Sequence, residues 1–157
     1  MKNLSAVYFS PTGGTRKAVL NLAAGMGGDI EEVDLCALKG ERGFGPEDLV
    51  IVGMPVFGGR IPAAKLLKQC RGNGATAVTV AVYGNRAFED ALVELNDALK
   101  ELGFKIGASA ALLAEHSMAR EVAAGRPDKK DEEDARGFAG KILEKLAGDG
   151  WQEPKVP

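Results

Sequence analysis

The amino-acid sequence predicts an α/β fold in which one parallel sheet is covered by helices on both faces. Five strand-like runs alternate with helix-like runs along the 157 residues, an order typical of parallel sheets. Several of the strand-like runs are apolar almost throughout, as strands buried on both faces are. The length suits one domain with a full core. We expect that domain at residues 1–147, followed by a C-terminal tail at residues 148–157.

The first half of the chain carries three strand-like and two helix-like runs. The strand-like runs are apolar, or alternate apolar with acidic residues, and the helix-like runs repeat apolar residues three or four positions apart. Gly27 and Gly28 are expected to end the first helix, and Pro62 is expected to begin the second. In order, we expect a strand at 4–9, a helix at 16–26, a strand at 30–35, a glycine-rich connection at 39–48, a strand at 49–53, a loop at 55–62 and a helix at 63–71.

The second half repeats the alternation twice. A run rich in valine and threonine is followed by a strongly periodic helix that is expected to end at Gly103. Phe138, Ile142 and Leu146 fall on one face of the last helix. In order, we expect a strand at 76–83, a loop at 84–88, a helix at 89–102, a strand at 105–113, an excursion at 115–127 and a helix at 128–146.

Composition and charge exclude several function classes. The net charge of −2 indicates neither nucleic acid nor an anionic membrane as a partner, and no apolar run reaches the about 18 residues of a spanning helix. Cys36 and Cys70 lack metal-binding spacing and are expected to be free thiols in a reducing cytosol. Two cysteines cannot hold an iron–sulfur cluster alone, and the single histidine argues against a protein-only zinc site. We therefore expect a cytoplasmic protein.

The segment SPTGGT, residues 10–15, joins the first strand to the first helix. Hydroxyls and backbone N–H groups there converge at a helix N-terminus, where the helix dipole favours an anion. The segment has no lysine and lacks the spacing of nucleoside-triphosphate and dinucleotide loops, so it predicts a phosphate monoester site. The alternative interpretation is a plain helix N-cap made by Thr12 or Thr15. The expected phosphate-binding residues are Ser10, Thr12, Gly13, Gly14 and Thr15.

Two further loops at the same sheet edge suit a flat apolar ligand. One brackets an aromatic residue, a glycine pair and an arginine between two prolines, and the other follows a tyrosine that closes a strand. The alternatives are that Phe57 folds into the core and that Glu89 or Asp90 only begins a helix. The candidates for binding this ligand are Pro55, Val56, Phe57, Gly58, Gly59, Arg60, Tyr83, Gly84, Asn85, Arg86 and Phe88.

A fourth segment with unusual chemistry follows the last strand. It contains His116, Ser117, Arg120 and Arg126. These side chains either contact a substrate or the ring, or belong to an ordinary loop and helix entry. No catalytic residue is assigned.

Residues 10–15 match the (S/T)xTGxT phosphate loop of the flavodoxin family at every defined position, and the loops after strands one, three and four match its layout. The chain therefore resembles that family over nearly its whole length. It looks nearest to flavodoxin-like domains that precede a ferredoxin module in some anaerobe proteins, a comparison carried by residues 9–15, 83–86 and 115–128. The resemblance implies FMN as cofactor and a three-layer sandwich with a five-stranded parallel sheet in the order 2-1-3-4-5.

The resemblance also implies electron transfer with a separate redox protein, such as a ferredoxin or a reductase. Arg60 and Arg86 depart from it, because electron-carrier flavodoxins usually have an acidic rim around the flavin. A cationic rim attracts an anionic reduced flavin or a nicotinamide dinucleotide. An FMN-dependent NAD(P)H oxidoreductase, similar to quinone reductases, is therefore the alternative. A binding or regulatory domain of the same fold without flavin is the third possibility. The sequence leaves the oligomeric state open.

Overall fold

A computed structural model of the chain describes residues 3–10, 13–27, 29–55, 64–83, 91–113, 129–148 and 153. Strands and helices alternate within these residues. The strands are β1 (Asn3–Tyr8), β2 (Ile30–Asp34), β3 (Arg42–Gly43), β4 (Asp48–Pro55), β5 (Cys70–Arg71), β6 (Thr76–Tyr83) and β7 (Lys105–Leu113). The helices are α1 (Gly14–Ala24), α2 (Ala64–Leu67), α3 (Ala91–Glu101) and α4 (Lys129–Ala147).

The main sheet has five strands in the order β2-β1-β4-β6-β7, and each neighbouring pair is parallel. When the two-residue strands β3 and β5 are left out of the count, this order is 2-1-3-4-5. The strands β3 and β5 pair with each other in a separate small sheet, which the sequence did not predict. The predicted α/β class, with a five-stranded parallel sheet, is confirmed.

Each face of the main sheet carries its own hydrophobic core. Alternate residues of the central strands point to opposite faces, and both faces are covered by helices. In β1, for example, Ala6 and Tyr8 pack on the side of α1 and α4, whereas Val7 packs on the side of α2 and α3. Burial on both faces explains why the central strands are almost continuously apolar.

Gly53 allows helix α1 to lie directly on the end of β4. A Cβ atom at this position would lie 2.2 Å from Cγ2 of Val19 and 3.3 Å from Cγ2 of Thr15. A real Cβ does not approach another carbon as closely as 2.2 Å, so only glycine fits this contact without displacement of α1. The first turn of α1 is thereby held above the carboxyl edge of the sheet.

The prediction of a helix at 63–71 is wrong after Leu67, where α2 ends. Cys70 and Arg71 instead form β5, whose partner β3 lies inside the predicted glycine-rich connection. Two backbone hydrogen bonds flank this pairing, from the Arg42 N–H to the Gln69 carbonyl at 2.8 Å and from the Phe44 N–H to the Arg71 carbonyl at 2.9 Å. The two paired segments lie about thirty residues apart in the chain, so the local periodicity of the sequence does not indicate their pairing.

The first helix also ends earlier than predicted. Its C-cap is Gly25, and not the pair Gly27 and Gly28, because the chain tightens there into bonds three residues apart. The N–H of Gly25 bonds to the Leu22 carbonyl at 3.2 Å, and that of Met26 to the Ala23 carbonyl at 3.0 Å. The strands at 76–83 and 105–113 agree with their predicted bounds, and the remaining described elements begin and end within two residues of theirs.

Neither a membrane-spanning helix nor a metal-binding cluster is found in the described part of the chain. No helix there is long and apolar enough to cross a membrane. Nor do the described residues hold a group of three or more His, Cys, Asp or Glu side chains that could bind a metal ion.

Cys36 is exposed and Cys70 is buried, and neither forms a disulfide. Burial raises the pKa of the Cys70 thiol, which keeps it protonated near neutral pH.

Candidate functional site

Three central strands end side by side at the carboxyl edge of the sheet. The register pairs Tyr8 of β1 with Gly53 of β4, and Pro55 of β4 with Val82 of β6. The chain leaves each of these strands toward a segment that is predicted from the sequence to bind a ligand. Because β1, β4 and β6 are neighbours in the sheet, the described beginnings of those segments lie next to one another. This is the edge at which open parallel sheets bind ligands.

The segment after β1 turns into helix α1 through Gly13, whose φ of 90° lies in the left-handed region. Gly13 occupies the N-cap position and has no side chain to cap the helix, so Thr15 is not the N-cap residue. The Lys17 N–H bonds to the Gly13 carbonyl at 3.0 Å, and the Arg16 N–H bonds to Ser10 Oγ at 2.9 Å. Among the described residues, the N–H groups of Gly14 and Thr15 have no hydrogen-bond acceptor.

These features fit a phosphate monoester. The Ser10 hydroxyl stands at the positive end of the α1 dipole, together with two N–H groups that have no acceptor among the described residues. The first turn of α1 contains no acidic residue that would repel an anion. Thr15 is buried and its methyl group faces Gly53, so the turn that carries these donors is anchored to β4.

A cluster of three side chains beside this segment was not predicted. One carboxylate oxygen, Glu32 Oε1, accepts hydrogen bonds from the Tyr8 hydroxyl at 3.0 Å and from Arg16 Nε at 2.8 Å. The bond from Arg16 is the main reason that the pKa of Glu32 is lowered, and burial is the main reason that the pKa of Tyr8 is raised. Glu32 is therefore ionised and Tyr8 is protonated at neutral pH.

The sequence held a signal for this cluster. Tyr8 and Arg16 flank residues 10–15 on either side, and the parallel register places Glu32 beside Ala6 on the neighbouring strand. An acidic residue on β2 is thus within reach of both flanks once β1 and β2 are known to be adjacent. The alternation of acids in β2 was read only as a strand pattern.

The chain is similar to known proteins in its structure but not in its sequence. No protein-family model matches the chain, and no curated protein matches it by sequence. Its structure is similar to oxidised flavodoxin 1 from Bacillus cereus, with a TM-score of 0.64 at 15% identity over 91% of this chain and 98% of that one. The chain has the flavodoxin-like fold.

Two further structures share this flavodoxin-like fold. A flavoprotein from Lactobacillus acidophilus, solved in complex with FMN, has a TM-score of 0.56 at 16% identity over 71% of this chain and 93% of that one. The rubredoxin oxygen:oxidoreductase from Desulfovibrio gigas has a TM-score of 0.59 at 18% identity over 94% of this chain. This chain corresponds to only 38% of that protein, and thus to one part of it.

The structure brings together part of the predicted site. Ser10 lies at the start of α1 near Gly13, Gly14 and Thr15, and the backbones of Pro55 and Tyr83 end adjacent strands at the same edge. The predicted residues that lie outside the described residues are Thr12, Val56, Phe57, Gly58, Gly59, Arg60, Gly84, Asn85, Arg86 and Phe88, together with His116, Ser117, Arg120 and Arg126. For those residues the assignments stay predictions.

Proposed function

We propose that the protein binds FMN and uses it to transfer electrons. The turn at Gly13 carries this proposal. It brings together a hydroxyl, a helix dipole and N–H groups that lack an acceptor in the described part of the chain, all at the carboxyl edge of a flavodoxin-like sheet. Its support from known structures is the flavoprotein of similar fold from Lactobacillus acidophilus, which was solved in complex with FMN.

The FMN phosphate would be held by Ser10, Thr12, Gly13, Gly14 and Thr15. The flavin ring would lie between the segment 55–60 and the segment 83–88, which begin at adjacent strand ends. FMN supplies the redox chemistry when it is bound, and the protein binds it, orients it and sets its potential through the surrounding charges. Residues 1–147 would form this FMN-binding domain.

An electron carrier is the leading form of this proposal. Its partner would be a separate redox protein, such as a ferredoxin or a reductase, and its compartment would be the cytoplasm. The free thiols of Cys36 and Cys70 support a reducing compartment.

The absorption spectrum of the freshly purified protein tests FMN binding. We expect a yellow protein with the two visible bands of oxidised flavin, or a colourless one that takes up one FMN per chain and quenches its fluorescence. A colourless protein that takes up no added FMN would contradict the proposal and favour the third possibility, a domain without flavin.

The charges of Arg60 and Arg86 support a second candidate, an FMN-dependent NAD(P)H oxidoreductase. Two arginines in the segments assigned to the ring would attract a nicotinamide dinucleotide. Mixing the FMN-loaded protein with NADPH or NADH distinguishes the two functions. Rapid bleaching of the flavin, with consumption of the nicotinamide in air, favours the oxidoreductase. Slow bleaching, together with two resolved one-electron steps on photoreduction, favours the carrier.

A further inference from the structure

One carboxylate ties together the two ends of the segment assigned to phosphate. Tyr8 lies two residues before Ser10, and Arg16 directly follows Thr15, yet both side chains donate to Glu32 Oε1. A third bond, from the backbone N–H of Arg16 to the side-chain hydroxyl of Ser10, joins the same two ends. We call the side chains of Tyr8, Glu32 and Arg16 the carboxylate clasp.

The clasp holds both ends of residues 10–15 in place. Residues 10–15 include two glycines, and ordering such a backbone when a ligand binds costs conformational entropy. A segment whose ends are already held loses less entropy, so it binds its ligand more tightly. Arg16 and Glu32 are partly exposed, so solvent screens their ion pair, whereas the Tyr8 side of the clasp is buried against the core. The clasp therefore acts by fixing the positions of the two ends more than by the strength of one bond.

The clasp also controls charge beside the segment. An unpaired Glu32 would repel a phosphate group, and an unpaired Arg16 would attract any anion. Because the two side chains form an ion pair, with Nε and Oε1 at 2.8 Å, their charges cancel. The selection of phosphate is then left to the directed donors of the turn and to the dipole of α1.

We propose that the carboxylate clasp makes this site select a phosphorylated flavin over the same flavin without phosphate, with Glu32 as the positioning residue. This inference rests on the proposed binding of FMN. Tyr8, Glu32 and Arg16 contribute to the part of the affinity that depends on the phosphate group. They do not contribute to the affinity for the flavin ring.

The test compares the affinities of FMN and riboflavin, which share the ring and differ in the phosphate. Both dissociation constants are measured by fluorescence quenching for the wild type, Glu32→Val and the control Glu31→Val. Glu31 is the neighbouring acid of β2 and is paired with Arg42, so its loss changes the net charge equally without touching the clasp. We expect Glu32→Val to weaken FMN binding by at least about fivefold, the effect of one net hydrogen bond, and to leave riboflavin binding unchanged.

The sign of this effect is decisive. Removal of a negative charge near the phosphate should by itself tighten FMN binding, as we expect, weakly, for Glu31→Val. Weaker binding in Glu32→Val therefore points to positioning and not to charge. Tyr8→Phe, which leaves the charge and the core packing unchanged, should weaken FMN binding in the same direction and keeps the test available if Glu32→Val does not fold.

Three results would overturn the inference: tighter FMN binding in Glu32→Val, an equal loss of FMN and riboflavin affinity, or unchanged FMN affinity in both clasp variants. An equal loss would show that the clasp only supports the fold. A wild-type protein that binds no FMN would instead overturn the proposed function itself, and the two failures are thereby distinguished.

Discussion

Gly13 is the residue at which the segment after β1 turns into helix α1. Its φ of 90° is one that residues with a Cβ atom rarely adopt, although no other atom lies within 4 Å of the position that a Cβ would take. Gly13→Ala should therefore act through backbone strain alone. We expect a free energy of unfolding lower by about 1 kcal/mol, and FMN binding weakened more than riboflavin binding because the turn relaxes away from its left-handed conformation.

Gly40 provides the matched control for Gly13. Its φ is 86°, it also has open space around the position of a Cβ, and it lies in the connection between β2 and β3, away from the candidate site. Gly40→Ala should cost a similar stability in denaturant unfolding with no change in FMN affinity. If the two variants had the same FMN affinity, the turn at Gly13 would have no part in phosphate binding.

Gly53 allows α1 to approach the sheet closely, because it has no Cβ atom. Because its Cβ would lie 2.2 Å from Cγ2 of Val19, Gly53→Ala should push α1 outward and lower the free energy of unfolding by about 1–3 kcal/mol. Thr15 moves with α1, so FMN affinity should also fall. Gly140→Ala in α4, where nothing lies within 4 Å of the position of a Cβ, should instead raise stability by up to about 1 kcal/mol. Chemical denaturation of both variants checks these opposite signs.

At the scale of elements, the strand β7 forms one edge of the main sheet and is tied to α4. Its register with β6 shifts near Gly107, and the Gly107 carbonyl accepts a hydrogen bond from Lys145 Nζ at 2.8 Å. Lys145→Met keeps the length of the side chain but removes this donor. We expect a loss of about 1–2 kcal/mol in the free energy of unfolding, because a partly buried carbonyl then lacks its partner.

Lys141 is the control for this prediction. It is exposed, lies one turn earlier in α4, and within the described part of the chain makes no hydrogen bond or ion pair. Lys141→Met removes the same charge, and its effect on stability should stay within about 0.5 kcal/mol. Equal losses in the two variants would mean that helix charge, and not the bond to Gly107, explains the effect.

Elements whose signal is local could be predicted from the sequence, and elements made by distant pairing could not. The strands β6 and β7 were predicted with their observed bounds, because an apolar run between turn residues carries its own signal. The strand β5 was predicted as helix, because its pairing with β3 depends on chain segments about thirty residues apart. Helix α1 ended early because its last turn tightened at Gly25, a choice between two nearby glycine positions that the pattern did not resolve.

The same distinction applies to the candidate site. The helix that begins after Gly13 could be predicted because hydroxyls, glycines and the helix start follow one another in the chain, and the assignment of residues 10–15 to phosphate stays a prediction. The clasp was not predicted: the expected strand order places β2 beside β1, but the contact of Glu32 with Tyr8 and Arg16 also depends on the register of these two strands. The side chain that holds the segment in place comes from a strand to which the sequence assigned no functional part.

At the scale of the whole molecule, the site and the fold depend on the same central strands. The segments assigned to FMN follow β1, β4 and β6, which form the middle of the sheet and contribute to both hydrophobic cores. A ligand that contacts all three segments would join parts of the chain that are far apart in the sequence. Its binding free energy should therefore appear in the unfolding of the entire domain.

We accordingly expect FMN to raise the melting temperature in proportion to the logarithm of its free concentration. At about 100 times the dissociation constant the stabilisation is about 2.7 kcal/mol, if FMN binds the folded state alone. For a domain of this size that corresponds to a rise of roughly 5–10 °C. Riboflavin at the same concentration should raise it less, because it lacks the phosphate contacts at Gly13. Thermal unfolding followed by circular dichroism measures both shifts. An equal rise with the two flavins would place the binding energy in the ring alone and contradict a phosphate site at the turn before α1.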